Sequence, residues 1–347
     1  MDISHYFKQA IKQNASDLHL AAGSAPALRI GGDLVKLNQG VINGYDLERA
    51  ISSLISKKTM EKLARKRELD FSQDFFGSRF RVNLHYQEGK IGLTARLVSK
   101  TIPTPLELRF NDVLYRLTHL RDGLIIVTGP SGSGKSTTMA CMINIINNER
   151  RAHIVTIEDP VEYLFAEEQS IIEQRELGHD TISFASALKY ALRQDPNVIM
   201  LGEMRDAETI SAVITAAETG HLVISTLHTS TAPETINRIV DVFPSHRQKQ
   251  ILIQLSSILR AVIAQALVPK IGGGRVAARE IMINNSATAN LIRSNQIGQI
   301  YSVIQTGQRD GMMTMNKAID KLFSDGLISK DVARNNKRNP ETQASYY

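Results

Sequence analysis

The first hundred residues set apolar and polar positions at two periods, and after residue 112 short unbroken apolar runs take over. Apolar positions three and four apart predict amphipathic helices over residues 3–12, 45–54 and 58–67. Strands are expected at 18–20, 27–30, 79–86 and 91–97, the last two joined by a turn at Glu88-Gly89-Lys90. In Arg79-Phe80-Arg81-Val82-Asn83-Leu84 the alternation puts the arginines on one face of a strand. Apolar runs then fall at 124–128, 154–157, 198–201 and 222–226, with helical patterns between them at 135–147, 184–193 and 206–219. Alternation of this kind predicts a largely parallel sheet covered by helices. A helical region is expected at 245–266, followed by a turn at Gly272-Gly273-Gly274.

These patterns divide the chain into a small α+β domain over 1–101, a linker over 102–111 and an α/β domain over 112–347 with a helical C-terminal part. Prolines at alternate positions in Ile102-Pro103-Thr104-Pro105-Leu106 favour an extended connection. The polar residues 336–347 are expected to fray. A length of 347 residues suits two domains, each with its own core.

Composition narrows the classes. No stretch reaches the roughly 20 apolar residues that span a bilayer, and Met1-Asp2-Ile3-Ser4-His5 does not open a secretory leader. A cytosolic location is therefore expected. The single cysteine, Cys141, excludes an internal disulfide and a multi-cysteine zinc site, and its helical position suits a buried thiol. A net charge of +6 could meet nucleic acid, an anionic membrane surface or acidic protein loops. With no tryptophan, 5% aromatic residues and no basic run interleaved with aromatics, the sequence marks no stacking platform for single strands, which leaves a basic channel alone as a route to nucleic acid, and no nucleic-acid partner is expected.

The chemistry gathers where each apolar run ends. Directly after residues 124–128 stands Gly129-Pro130-Ser131-Gly132-Ser133-Gly134-Lys135-Ser136-Thr137, which carries the spacing G-x-x-x-x-G-K-[ST] between a strand and a helix. Its glycines let successive backbone N–H groups turn inward around phosphate oxygens. Lys135 can reach the β- and γ-phosphates of ATP, and the Ser136 hydroxyl can ligate Mg²⁺. The helix that follows points its positive end at the same place. Glu158, Asp159 and Glu162 follow the second run, Gly202, Glu203, Arg205 and Asp206 the third, and His228 the fourth. In an open parallel sheet these ends face one crevice. Glu203 is the candidate to polarise the attacking water, and His228 to donate to the γ-phosphate. Many phosphate-loop enzymes place an Asp just before such a Glu, where this chain has Gly202. Magnesium would rely on Ser136, the phosphates and water, with Glu158 or Glu162 behind them. Asp206 reads equally as a helix N-cap.

Four of these segments resemble the nucleotide motifs of the secretion ATPase superfamily of type II secretion and type IV pili. They are the phosphate loop, Thr156-Ile157-Glu158-Asp159-Pro160-Val161-Glu162 as its acidic box, Leu201-Gly202-Glu203-Met204-Arg205-Asp206 as its second nucleotide motif, and 219–229 as its histidine box. Ser16-Asp17-Leu18-His19-Leu20, Phe80-Arg81-Val82-Asn83, Ile239-Val240-Asp241-Val242-Phe243-Pro244 and Tyr301-Ser302-Val303-Ile304-Gln305-Thr306-Gly307 extend the similarity to PilT-like pilus retraction ATPases. The four-cysteine zinc site usual in pilus extension ATPases is missing. Residues 287–294 depart from the late retraction motif, with Ala289 in place of its first Arg and Ser294 in place of its Glu.

The resemblance implies a PAS-like N-terminal domain, a RecA-like ATPase domain, and a homo-hexamer using ATP and Mg²⁺. An arginine from a neighbouring domain would complete the site, with Arg79, Arg81 and Arg96 as candidates and Arg81 and Arg96 preferred. The implied location is cytoplasmic, peripheral at the inner membrane. The implied partners are the pilus platform protein and a paralogous retraction ATPase, and the implied work is retraction by pilin depolymerisation, which underlies twitching motility. Alternatives are an extension or type II secretion motor, an accessory retraction subunit, a nucleotide-gated scaffold with little turnover, and a RecA-like nucleic-acid motor, which the family motifs disfavour.

Overall fold

The computed structural model describes residues 1–99 and 101–338, and the chain divides into two compact units. The first comprises Met1–Thr101 with Pro160–Leu164, the second Ile102–Asp159 with Phe165–Tyr347.

In the first unit, α1 (Ile3–Lys12) starts at Asp2, whose carboxylate accepts from Ser4 N at 3.0 Å. Its buried face is Ile3, Tyr6, Phe7 and Ala10, the spacing read from the sequence. There follow β1 (Asp17–Ala21), β2 (Ala27–Ile30), β3 (Asp33–Lys36), α2 (Gly44–Leu54), α3 (Lys57–Lys66), β4 (Glu68–Phe75), β5 (Ser78–Gln87) and β6 (Lys90–Leu97). The strands form one six-stranded sheet in the order β3-β2-β1-β6-β5-β4, its neighbours all antiparallel. On β5, Phe80, Val82 and Leu84 are buried, while the intervening Arg79, Arg81 and Asn83 lie on the other face. Phe7 packs on Phe75 and Phe80 with ring centroids 4.5 and 4.9 Å away, tying α1 to the sheet. The segment Pro160–Leu164 joins this unit through a bridge between Ser99 and Tyr163.

The second unit begins with α4 (Asp112–Thr118), β7 (Gly123–Thr128), α5 (Lys135–Glu149), β8 (His153–Glu158), β9 (Ile171–Glu176), α6 (Phe184–Ala191), β10 (Val198–Leu201), α7 (Ala207–Glu218) and β11 (Leu222–Leu227). It continues with α8 (Ala232–Asp241), α9 (Ser245–Ile258), β12 (Leu259–Pro269), β13 (Arg275–Ile283), α10 (Ser286–Arg293), α11 (Ile300–Thr306), α12 (Met315–Ser324) and α13 (Lys330–Asn336). Its seven strands run β13-β12-β7-β11-β10-β8-β9, parallel except for the edge pair β12–β13. β7, β10 and β11 are buried at every position, which is why they read as unbroken apolar runs rather than alternating ones. Separate apolar clusters cover the two faces, one against α6, α7, α8 and α9, the other against α4 and α5.

Three expectations need correction. The helical region stops at Ile258, and Leu259 turns to φ −60°, ψ 133°, opening strand β12. An apolar run buried on both sheet faces carries no period, so 259–266 could not be told from helix by pattern alone. The proline segment is not extended throughout. Thr104 and Glu107 cap each other reciprocally, Glu107 accepting from Thr104 N at 2.7 Å and Thr104 Oγ1 from Glu107 N at 3.2 Å, and Phe110 N closes the turn on Pro105 O at 2.8 Å. Of the tail expected to fray, Asn336 ends α13, and Arg338 is anchored to Ser230 O and the buried Glu280; residues 339–347 lie outside the described residues.

Candidate active site

The phosphate loop leaves β7 with three glycines at positive φ: 146° at Gly129, 76° at Gly132 and 86° at Gly134. Two of them are required by space as well. A Cβ on Gly129 would stand 2.3 Å from Gln265 O, and one on Gly134 would stand 2.9 Å from Gln265 Nε2. Gly134 is the N-cap of α5 and puts no side chain on that helix end, so no cap side chain takes up its first N–H groups. Lys135, 9% exposed, folds its Nζ back to donate to Gly129 O at 2.9 Å and Pro130 O at 3.2 Å. Inside the loop, the buried Ser133 Oγ has no partner among the described residues. The glycine cradle and the orphaned hydroxyl fit a polyvalent anion.

β10 and β11 bring two further groups to Lys135. Glu203 stands two residues past β10 on a backbone pinned from both sides: Gly202 N donates to Ile157 O at 2.8 Å and Met204 N to Thr226 O at 3.1 Å. His228 follows β11 directly. Its Nδ1 lies 3.5 Å from Lys135 Nζ and its Nε2 lies 3.3 Å from Glu203 Oε2. Because an ammonium only donates, the neutral ring in this arrangement accepts at Nδ1 and donates from Nε2 to the carboxylate. Arg205 closes the line with an ion pair to Glu203, which holds the guanidinium more firmly protonated. Lys135, His228, Glu203 and Arg205 thus form one contiguous row.

None of the hydrogen bonds and ion pairs of that row involves the other sequence candidates. Glu158 is buried at the end of β8, where it accepts from Thr156 Oγ1 at 2.7 Å and Gln174 Nε2 at 3.2 Å. Glu162 is exposed and belongs to the segment that joins the first unit. Arg81 pairs with Asp70 at 4.0 Å, and Arg96 donates from Nε to the buried Asp17 at 2.8 Å. Asp206 is indeed the N-cap of α7, accepting from Thr209 N at 2.8 Å. Among the described residues no cluster of three acids, histidines or cysteines could hold a metal ion by itself.

Two residues that sequence reasoning missed support the loop from β12 and β13. Gln265 donates from Nε2 to Ser133 O at 2.6 Å and accepts from Thr138 Oγ1 at 2.8 Å. Arg279 Nε donates to the same Gln265 Oε1 at 2.8 Å. The available signal was a lone amide inside the apolar stretch 261–268. Beside the loop, a cleft of about 540 Å³ is lined by Gly134, Thr137 and Thr138 and, opposite, by Leu106, Arg275 and Leu327. Its volume suits a small organic ligand.

A glycine cradle, a buried lysine and a carboxylate beyond the carboxyl ends of parallel strands of one sheet define an ATP hydrolase of the phosphate-loop class. The family model for Type II/IV secretion system proteins matches residues 105–334. The type IV pilus retraction ATPase PilT of Pseudomonas aeruginosa is 44% identical over 342 residues, 98% of this chain and 99% of its own length. The type IV pilus ATPase PilU of the same organism is 34% identical over 96% of this chain and 88% of its own. A crystal structure of the pilus retraction motor PilT with bound ADP superposes with a TM-score of 0.92 at 47% identity, over 99% of this chain and 98% of that one. The chain belongs to the type II/IV secretion ATPase family and, within it, to the PilT-like retraction ATPases. No helix among the described residues is long and apolar enough to cross a membrane.

Proposed function

We propose that this chain hydrolyses ATP as the motor of type IV pilus retraction, working as a hexamer on the platform protein at the inner membrane. The observation that carries the hydrolytic reading is the contact row Lys135–His228–Glu203 at the ends of three parallel strands. Similarity over 98% of the chain to a retraction ATPase carries the pilus reading, and the 34% identity to PilU makes an accessory role the weaker alternative.

The loop's N–H groups and Lys135 bind the phosphates, and the cleft beside Thr137 takes base and ribose. The Ser136 hydroxyl would help hold a magnesium ion, which would supply neutralisation of the phosphate charge. Glu203 orients the attacking water and accepts its proton. His228 donates to Glu203 until a γ-phosphate oxygen competes for the same Nε2–H, so the ring responds to the triphosphate. Glu158, held by Thr156 and Gln174, would support that ion from behind. An arginine from a neighbouring subunit meets the charge that develops on the γ-phosphoryl group. Arg81 is the better candidate, because its ion pair with Asp70 is long and exposed, whereas Arg96 neutralises a buried carboxylate.

Live imaging of fluorescently labelled pili in cells lacking this chain tests the proposal. Long fibres that never shorten, rescued by the wild type and not by Glu203→Gln, are expected. Bald cells would mean extension or secretion, and normal dynamics would mean an accessory subunit.

A further inference from the structure

A buried polar line runs from the phosphate loop to the turn at 105–110, and the hydrolytic row does not use it. Arg279 on β13 is 7% exposed, yet none of the ion pairs among the described residues involves it. Its Nε donates to Gln265 Oε1 at 2.8 Å, its Nη1 donates to Leu108 O at 2.9 Å, and its guanidinium lies over the Phe110 ring, 5.3 Å from the centroid. Burial draws its pKa down to about 10, which leaves it charged at neutral pH. Gln265, 2% exposed, carries the line onward to the loop, donating from Nε2 to Ser133 O.

The amide can face only one way. With Oε1 accepting from both Arg279 and Thr138, only Nε2 is left to meet Ser133 O. The guanidinium therefore sets the orientation of the amide, and the amide sets the height of Ser133, two residues before Lys135. A cation buried on neutral dipoles alone is costly, and a hydrocarbon of similar shape would satisfy packing at least as well. Packing therefore gives no reason for an arginine at this position.

We infer that Arg279 and Gln265 are positioning residues that lock the phosphate loop to the 102–111 segment, so that phosphate arriving on the loop is transmitted to the chain leading in from the first unit. The inference rests on the nucleotide reading above. A shift of the Ser133 carbonyl moves the amide, the amide moves the guanidinium, and Leu108 O must follow or leave a charged donor unmet. The same turn holds its shape through Leu108 N to Thr104 O and Phe110 N to Pro105 O, so a pull at Leu108 reaches all of 104–110.

Hydrogen exchange of the full-length protein, with and without saturating ADP, reads this out. In the wild type, ADP should slow exchange of the 104–110 amides about tenfold or more. Arg279→Met and Gln265→Leu, each held at an ADP concentration that saturates its own site as titrated with a fluorescent ADP analogue, should lose that slowing. If Arg279→Met unfolds, Gln265→Leu carries the test. Unchanged ADP-dependent slowing in the variants overturns the relay, as does a wild type that binds ADP without any slowing at 104–110. A wild type that binds no ADP overturns the nucleotide reading itself.

Discussion

The candidate finger arginines of the first unit and the two cations behind the phosphate loop of the second are held in different ways. In the first unit Arg79 pairs with Asp74 at 3.5 Å, Arg81 with Asp70 at 4.0 Å and Arg96 with Asp17 at 2.8 Å, each across neighbouring strands of an antiparallel sheet. In the second, Lys135 sits on the carbonyls of Gly129 and Pro130, and Arg279 on an amide, a carbonyl and a ring. A carboxylate cancels a charge, whereas dipoles hold it in place without cancelling it. At Arg279 the dipole arrangement keeps positive charge beside the phosphate loop. The ion pairs of the first unit keep it stored until something draws an arginine away.

The largest effect that could break this contrast is on turnover. Arg81→Ala should slow steady-state ATP hydrolysis by roughly 10³-fold while leaving ADP affinity nearly unchanged, the signature of an arginine that acts on the transition state. Arg96→Ala should act on stability instead, costing about 1 kcal/mol in denaturant unfolding, because among the described residues Asp17 then keeps Arg29 at 3.9 Å and the Ser16 hydroxyl at 2.8 Å. A reversal of these two results would exchange the roles of the two arginines. The smallest effect concerns Cys141 on α5. Burial raises its thiol from 9.0 to about 12, so its contribution to stability is complete below pH 9 and is lost as pH rises towards 12. Iodoacetamide at about pH 8.5 should therefore alkylate the native protein far more slowly than the unfolded chain. Equal rates would mean the α5 core is open.

The two units also differed in how readily they could be read. Strands with one solvated face alternate, so β5 and β6 were visible in the sequence, and β7, β8, β10 and β11 were marked by the motifs that follow them. β12 carried neither signal. Its run of Ala, Val, Ile and Leu directly after a helix is compatible with either geometry until tertiary pairing with β7 and β13 decides it. β3 and β4 were missed for a related reason, since β3 is exposed at every position and β4 buries only Ser72 and Phe75 fully. At the site, Lys135 was legible from the spacing of the phosphate loop, and Glu203 and His228 because each follows the end of a strand. Gln265 and Arg279 lie mid-strand, where an isolated polar residue says nothing about which loop it supports. Gly202 was noted only as a missing aspartate. In the structure its N–H donates to Ile157 O and its carbonyl accepts from Thr226 Oγ1 at 2.6 Å, which aims Glu203.

The most direct measurement is ATP binding and turnover by purified wild type and Glu203→Gln, side by side. Glutamine keeps the size and can still accept from His228, but it cannot take a proton from water. Binding within a few-fold of wild type with turnover down by at least about a hundredfold is the predicted result. Near-normal hydrolysis by Glu203→Gln would contradict the assignment and return the water-activating role to Glu158 or Glu162.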